Sequence, residues 1–158
     1  MSLDPDSFRA ALGRFATGVT VVTCTDADGG DHGMTVSAFC SVSLHPPLVL
    51  VCVAHSASMY DAFINTSAFA INVLAAAQEP LARRFADLGD QRFLGIGFTR
   101  GECGAAILED VLAVLECRHV AQHVIGDHTI VIGEVERAVI QDKKPLVYYR
   151  GGFAQIER

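Results

Sequence analysis

Apolar and polar positions alternate with a period of two along most of this chain, and with a helical period in only three short stretches. In Asp6-SFRAALGRFA, Phe8, Leu12 and Phe15 fall at helical spacing, with Asp6 or Ser7 as the cap and Gly18 as the stop. Val19 to Thr25 is β-branched and predicts a strand. The turn-forming run Asp26-ADGGDHG then predicts a hairpin whose returning strand is Met34 to Ser43. Pro46-Pro47 interrupts the chain before Leu48 to Val53, an apolar run expected to be a central strand buried on both faces. Ser56 is the expected cap of a short helix, SASMYDAFINT, with Met59, Phe63 and Tyr60 inward. Ala68 to Leu74 alternates as a strand, with Phe69, Ile71 and Val73 on one face.

Gln78-EPLARRFADL predicts another helix, with Pro80 in its first turn. Asp90 to Ala106 is glycine-rich and is expected to be a long irregular loop. Val111 to Val120 and Thr129 to Ile140 predict two long strands that turn at Gly126-Asp127. A last strand pair closes the chain around Gly151-Gly152. The expected tally is six to eight strands and two or three short helices. That makes a mainly β, small, closed or nearly closed barrel, formed as one domain over 1–158.

Composition narrows the chemistry. The net charge is −6, and only two lysines occur, Lys143 and Lys144. No basic stripe exists to neutralise a nucleic-acid backbone, so no nucleic-acid partner is expected. No apolar run approaches the ~18 residues of a spanning helix, so no membrane partner is expected either. Hydrophobic residues make up 51% of the chain, which is rich for this length and favours a homodimer that covers apolar surface. The five cysteines form no C-x-x-C pair, and no signal-like segment precedes them. They read as reduced, mostly buried thiols of a cytoplasmic protein.

Candidate chemistry is sparse. Gly-x-Ser-x-Gly is absent, and nothing ties a serine to a histidine by spacing. His119 and His123 have zinc-like spacing, but on a strand four residues span ~13 Å, too far for one metal, so no metal site is expected. Gly95-x-Gly97 lacks the third glycine and the preceding strand of a dinucleotide fingerprint. What remains is Gly33 to Ser43, GMTVSAFCSVS, where Thr35, Ser37, Ser41 and Ser43 fall on one face of a strand. Hydroxyls and backbone N–H groups in such a row can hold the ribityl chain and phosphate of a flavin. Taken alone, the same row is more often an ordinary solvent-facing strand.

The chain as a whole resembles the flavin reductase-like family, the short NAD(P)H:flavin oxidoreductases of two-component flavin monooxygenases. The resemblance runs through Phe8-RAALGRFATGVTVVT, Gly33-MTVSAFCSVSLHPPLVLVCV, Phe69-AINVL, Gly126-DHTIVIGEV and Pro145-LVYYRGGF. It implies a split β-barrel with a few short helices, a homodimer, FMN or FAD as flavin, NADH or NADPH as hydride donor, and a flavin-dependent monooxygenase as partner. It also implies flavin contacts at Thr35, Val36, Ser37 and Ala38, at Ser41, Val42 and Ser43, and at Ala54, Ser56 and Ser58 in Val53-AHSAS. Further contacts follow at Phe85, Ala86, Arg92 and Phe93. His128, Tyr149 and Gly151 match the region associated with the nicotinamide, with His128 positioning it or stabilising charge on the reduced flavin. A turn histidine of purely structural role fits His128 as well. Two departures stand out: Ser37 replaces the asparagine frequent in the family, and the Gly101-ECGAAIL stretch lacks the family's proline near Ala106. An electron carrier on the same barrel and a binding module without a working flavin are the rival functions.

Overall fold

The computed structural model describes residues 1–87, 89 and 91–157. Leu88, the last residue of the expected third helix, and Asp90, where the expected loop begins, lie outside them. Helix α1 spans Pro5–Leu12 and is capped by Asp4, whose carboxylate accepts the Ser7 N–H at 2.9 Å. The cap therefore sits two residues earlier than Asp6, because Pro5 can occupy the first helical position without losing a hydrogen bond. The helix stops at Gly13 rather than Gly18, and Phe8, Leu12 and Phe15 are all exposed. Their spacing makes an apolar stripe that is exposed among the described residues.

The strands follow as β1 (Thr17–Gly18), β2 (Thr20–Thr25), β3 (Asp31–Val36), β4 (Phe39–Ser43) and β5 (Leu48–Ala54). After α2 (Tyr60–Asn65) come β6 (Ala68–Val73), a 3-10 turn (Ala76–Gln78) and α3 (Glu79–Ala86). The chain ends in β7 (Phe98–Arg100), β8 (Ala106–Leu108), β9 (Ala113–Ile125), β10 (His128–Ile140), β11 (Leu146–Tyr149) and β12 (Gly152–Gln155). More strands form than the alternation counts, for three reasons. Thr17–Gly18 adds β1, which pairs with β11. The expected returning strand Met34–Ser43 is broken at Ser37–Ala38 into β3 and β4. The glycine-rich stretch before Ala106, expected to be irregular, contains the short hairpin β7–β8, with Phe98 opposite Leu108.

Seven strands form one sheet in the order β3-β2-β6-β9-β10-β5-β4. Its two edge strands, β3 and β4, are consecutive in the chain and joined by two residues, yet they do not pair with each other. The sheet must therefore curl until its edges meet, leaving a split at Ser37–Ala38. Strand β6, near the middle of the sheet, is buried on both faces from Phe69 to Asn72, where simple alternation was expected. Strand β5, expected at the centre, lies next to the edge instead. Val49, Val51 and Val53 are buried while Leu48, Leu50 and Cys52 stay half-buried.

Two apolar clusters fill the two sides of this sheet. Inside the curl, Val22, Val51, Val53, Phe69, Ile71 and Val131 pack with Met59 and Phe63 at α2. On the other side, Val19, Val21, Leu74, Leu108, Val114 and Leu146 pack under Ala82 and Phe85 of α3. Strand β2 serves both, Val21 facing one cluster and Val22 the other, as successive strand residues must. Met59, Phe63 and Tyr60 point inward as their spacing predicts, but Ser56 does not cap α2, whose start carries no side-chain cap.

One buried polar residue joins three layers. Asn72, fully buried, donates to the Val21 carbonyl at 2.9 Å and to Thr23 Oγ1 at 3.2 Å, and accepts the Leu108 N–H at 2.9 Å. Thr23 in turn donates to the Ala106 carbonyl at 2.6 Å. Asn72→Leu should strand the Leu108 N–H and Val21 carbonyl and lower stability by about 2–3 kcal/mol in urea unfolding. A change under a few tenths would show that this network does not hold β8 to the sheet.

Candidate functional site

At the split, a cleft of about 330 Å³ opens between β3, β5, α3 and the start of β10. The chain reaches it from five separate places. Thr35, Val36, Ser37 and Ala38 come from the end of β3 and the break itself. Ala54 and Ser58 come from the end of β5 and the turn after it, Phe85 and Ala86 from the end of α3, Arg92 from the following turn, and His128 from the first position of β10. His128 stands opposite Ala54 in the β10–β5 register, which is how residues 74 positions apart share one wall.

The other nominated residues fall elsewhere. Ser41, Val42 and Ser43 lie on β4, which runs away from the cleft along β5 with a bulge between Ser41 and Ser43. The expected single hydroxyl face is lost because the strand breaks at Ser37. Ser56 is exposed in the turn before α2 and lines none of the cleft. Phe93 lies in an adjoining cavity of about 210 Å³, which shares Ser58 and Arg92 with the cleft and adds His32. Gly151 lies in a second adjoining chamber, whereas Tyr149 does not. Its neighbour Tyr148 is there instead, since adjacent strand residues face opposite ways.

The sequence reading missed Met34, Cys52 and Ala57 as cleft residues. Cys52 had a usable signal, because it lies two positions before Ala54 on the same strand and so shares its face. Burial pushes its thiol above the ordinary cysteine range, which leaves it a small neutral wall group. His119 and His123 are not brought together on a metal. His119 Nδ1 lies 3.0 Å from the Thr66 carbonyl, His123 is exposed, and no metal-holding cluster occurs among the described residues. All five cysteines are free, with Cys24 and Cys117 buried and Cys40 exposed.

A network of side chain to backbone bonds gives the cleft its shape. Thr35 Oγ1 donates to the Ala82 carbonyl at 2.6 Å, fixing α3 to β3. Its one hydroxyl hydrogen is thus committed to the scaffold, and only the oxygen's acceptor capacity is left for a ligand. Arg92 donates through Nε to the Asp87 carbonyl at 2.6 Å and through one Nη to the Gly33 carbonyl at 2.7 Å. That arrangement holds a cation at the rim with donors to spare. Arg84 binds the carbonyls of Gln91, Arg92 and Leu94 and so pins the turn that carries Arg92.

At the opposite wall, His128 Nδ1 meets Asp127 Oδ1 at 2.6 Å. That bond, with the imidazole charge behind it, holds the Asp127 carboxyl below its ordinary value, so the carboxylate stays ionised across the neutral range. With Nδ1 engaged, Nε2 is the atom left for a ligand. Beside it, Thr129 Oγ1 is shared by Tyr60 Oη at 2.7 Å and His55 Nε2 at 3.1 Å.

The residues present fit a flavin. Edge strand β3 has a sheet partner on one side only, and although its Gly33 and Val36 carbonyls are taken by Arg92 and Thr20, its end at the split presents backbone N–H groups to a planar heterocycle. Val36, Ala38, Ala54, Ala57 and Phe85 give apolar walls, and Arg92 gives a cation for a phosphate. A larger cavity, of about 570 Å³, lies at the far end of β10 around Glu116 and Arg137 and contains none of the residues nominated from sequence. Its Arg137 is already paired with Glu102. The split is favoured as the site because nominated residues from distant parts of the chain converge there.

Gly33 is a close-packed point beside the cleft. A Cβ there would stand 2.7 Å from the Phe85 ring and 3.2 Å from Phe93. Gly33→Ala should push Phe85 into the cleft, lower stability by about 1–3 kcal/mol and weaken flavin binding. Urea unfolding and a flavin fluorescence titration check both effects. Unchanged flavin affinity in a destabilised variant would separate Phe85 from the binding wall.

Comparison with known proteins agrees with this architecture. The "Flavin reductase like domain" family matches residues 12–157. The "FMN reductase (NADH)" SmoA of Agrobacterium fabrum is 47% identical over 152 residues, covering 96% of this chain and 86% of that one. The reductase subunit HsaB of a flavin-dependent monooxygenase from Rhodococcus jostii is 37% identical over 157 residues, covering 99% of this chain and 80% of that one. Among solved structures, an NADH:FAD oxidoreductase of Streptomyces globisporus, in complex with NAD and FAD fragments, superposes with a TM-score of 0.92. It is 38% identical, and the match covers 99% of this chain and 97% of that one. This mainly β chain therefore belongs to the flavin reductase-like family.

Proposed function

We propose that this chain is a single-domain, NADH-dependent flavin reductase that delivers reduced FMN or FAD to a separate flavin-dependent monooxygenase. The observation that carries the reading is the convergence at the split. Thr35 to Ala38, Phe85, Ala86, Arg92 and His128 line one cleft in a chain whose relatives are named as flavin reductases and as the reductase subunit of a monooxygenase.

A flavin held in the cleft supplies the two-electron acceptor for the donor's hydride. The chain's own residues have the tasks of binding, orientation and exclusion of water. The backbone N–H groups at Ser37 and Ala38 offer hydrogen bonds to the ring system, since the carbonyls of Val36, Ser37 and Ala38 already accept from Thr20 Oγ1, the Phe39 N–H and the Cys52 N–H. The small side chains of Ala54 and Ala57 let the rings lie close to β5. Arg92, fixed at Gly33 and Asp87, offers its remaining donors to the phosphate, with Ser58 beside it. His128, with Nδ1 held by Asp127, presents Nε2 to the donor's carboxamide or to the charge left after transfer. Hydride transfer needs close stacking at roughly 3–3.5 Å and no nucleophile, so a wall that orients two flat rings is sufficient machinery.

A second copy of the chain fits the exposed apolar surface. Val42 on β4, Leu44 just after it, and Val124 and Ile125 at the end of β9 are all large and exposed. Ile125 pairs directly with His128, so this surface reaches the rim of the cleft. We read it as the homodimer contact. The free thiols support a reducing, cytoplasmic setting.

Purified protein mixed with FMN or FAD and NADH should consume NADH only when flavin is present, followed by the loss of its near-ultraviolet absorbance. His128→Ala should lower kcat/KM for NADH by roughly tenfold or more while leaving flavin affinity near wild type. A coloured protein inert to NADH would instead identify an electron carrier. A variant with unchanged turnover would remove His128 from the donor site.

A further inference from the structure

The cavity of about 570 Å³ at the far end of β10 holds a buried carboxylate that the fold leaves largely unbonded. It lies between the β7–β8 hairpin, the turn from β8 into β9, the start of β9 and the end of β10. Glu116 of β9 lines it and is only 7% exposed. Its Oε1 accepts the Glu102 N–H over a long 3.3 Å, and its Oε2 has no hydrogen-bond partner among the described residues. Room for the carboxylate comes from Gly101, where a Cβ would collide with Glu116 Oε1. A carboxylate removed from water calls for a cation or further donors.

The cations nearby are committed elsewhere. Arg137 stands directly opposite Glu116 in the β9–β10 register, yet its guanidinium bonds Glu102 Oε1. Arg100 is held by Asp31 at 2.5 and 3.0 Å. Glu109 and Asp110 also line the cavity, and Lys143 Nζ reaches Asp110 Oδ1 at 3.4 Å. The lining thus carries four carboxylates against two guanidiniums, both of them already paired. Among the described residues no cluster of side chains could hold a metal ion, so the partner that Glu116 lacks is an organic cation. The remaining wall is apolar. Val111 and Val114 are buried, Ile107 is half-buried, and Val139 is exposed at the cavity. A protonated amine with an alkyl chain meets both halves of such a lining, its N–H donors on the carboxylate and its chain on the valines.

We propose that this cavity binds a small protonated amine with an alkyl body, its ammonium on Glu116 Oε2 and its chain along Val114 and Val139. The site shares no lining residue with the cleft at the split and does not depend on the reductase reading.

Calorimetric titration of the full-length protein with n-hexylammonium chloride tests this, with 1-hexanol and sodium hexanoate as controls. Hexylammonium should bind saturably, hexanol roughly tenfold more weakly or worse, and hexanoate not at all. Glu116→Gln keeps the shape of the side chain and removes its charge. It should weaken hexylammonium by roughly tenfold or more and leave hexanol unchanged. Val139→Lys changes an exposed position and brings a tethered ammonium to the same cavity, so it should weaken hexylammonium too, and it decides the matter if Glu116→Gln does not fold. Absence of saturable hexylammonium binding, hexanol binding as tightly as the amine, or wild-type affinity in either folded variant would each overturn the proposal.

Discussion

The two edge strands of the main sheet are consecutive in the chain, and only Ser37 and Ala38 join them. Val36 and Phe39 are three steps apart along the chain, at most ~11 Å, so the end of one edge strand and the start of the other must come within that distance in a seven-stranded sheet. Curling the sheet satisfies the constraint but does not pair the edges. An unpaired edge is ordinarily a liability, because it offers backbone groups to any passing strand. Here the exposed edge lies at the bottom of a cleft, where a flat heterocycle with its own donors and acceptors can use it.

The rest of the site follows from keeping that split open and its walls fixed. Helix α3 is bonded to β3 through Thr35 and packs Phe85 against Gly33, where no side chain stands in the way. The turn after it is pinned by Arg84, and the Arg92 it carries is bonded back to β3 at Gly33. On the other side, the long β9–β10 hairpin delivers His128 opposite Ala54. The binding residues are therefore spread over most of the chain, yet each is held by an element packed on one of the two apolar clusters.

Much of the fold was legible in the sequence. The β-branched run at Val19, the turn at Asp26 to Gly30 and the turn at Gly126-Asp127 each lie where their chemistry put them, because hairpin signals are local. The break at Ser37 was not legible. Alternation continues through Thr35, Ser37 and Ser41 as though one strand ran on, and only the tertiary curl interrupts it. For the same reason Ser41 to Ser43, nominated with the cleft residues, stand away from it on β4. The placement of β5 failed differently: its apolar run reads as doubly buried, but its second face is left at the surface beside Val42 and Leu44. At the hairpin end, a one-residue difference exchanged Tyr149 for Tyr148.

The central claim is that flavin binds along the backbone N–H groups at the split, where the carbonyls of Val36, Ser37 and Ala38 already accept bonds from within the chain. Amide hydrogen exchange with and without saturating FMN tests this directly. The account predicts slowed exchange at Val36, Ser37 and Ala38, with the interior of β6, already buried on both faces, left unchanged. Protection that appears around Glu116 and Arg137 at the far end of β10, with none at residues 36–38, would contradict it.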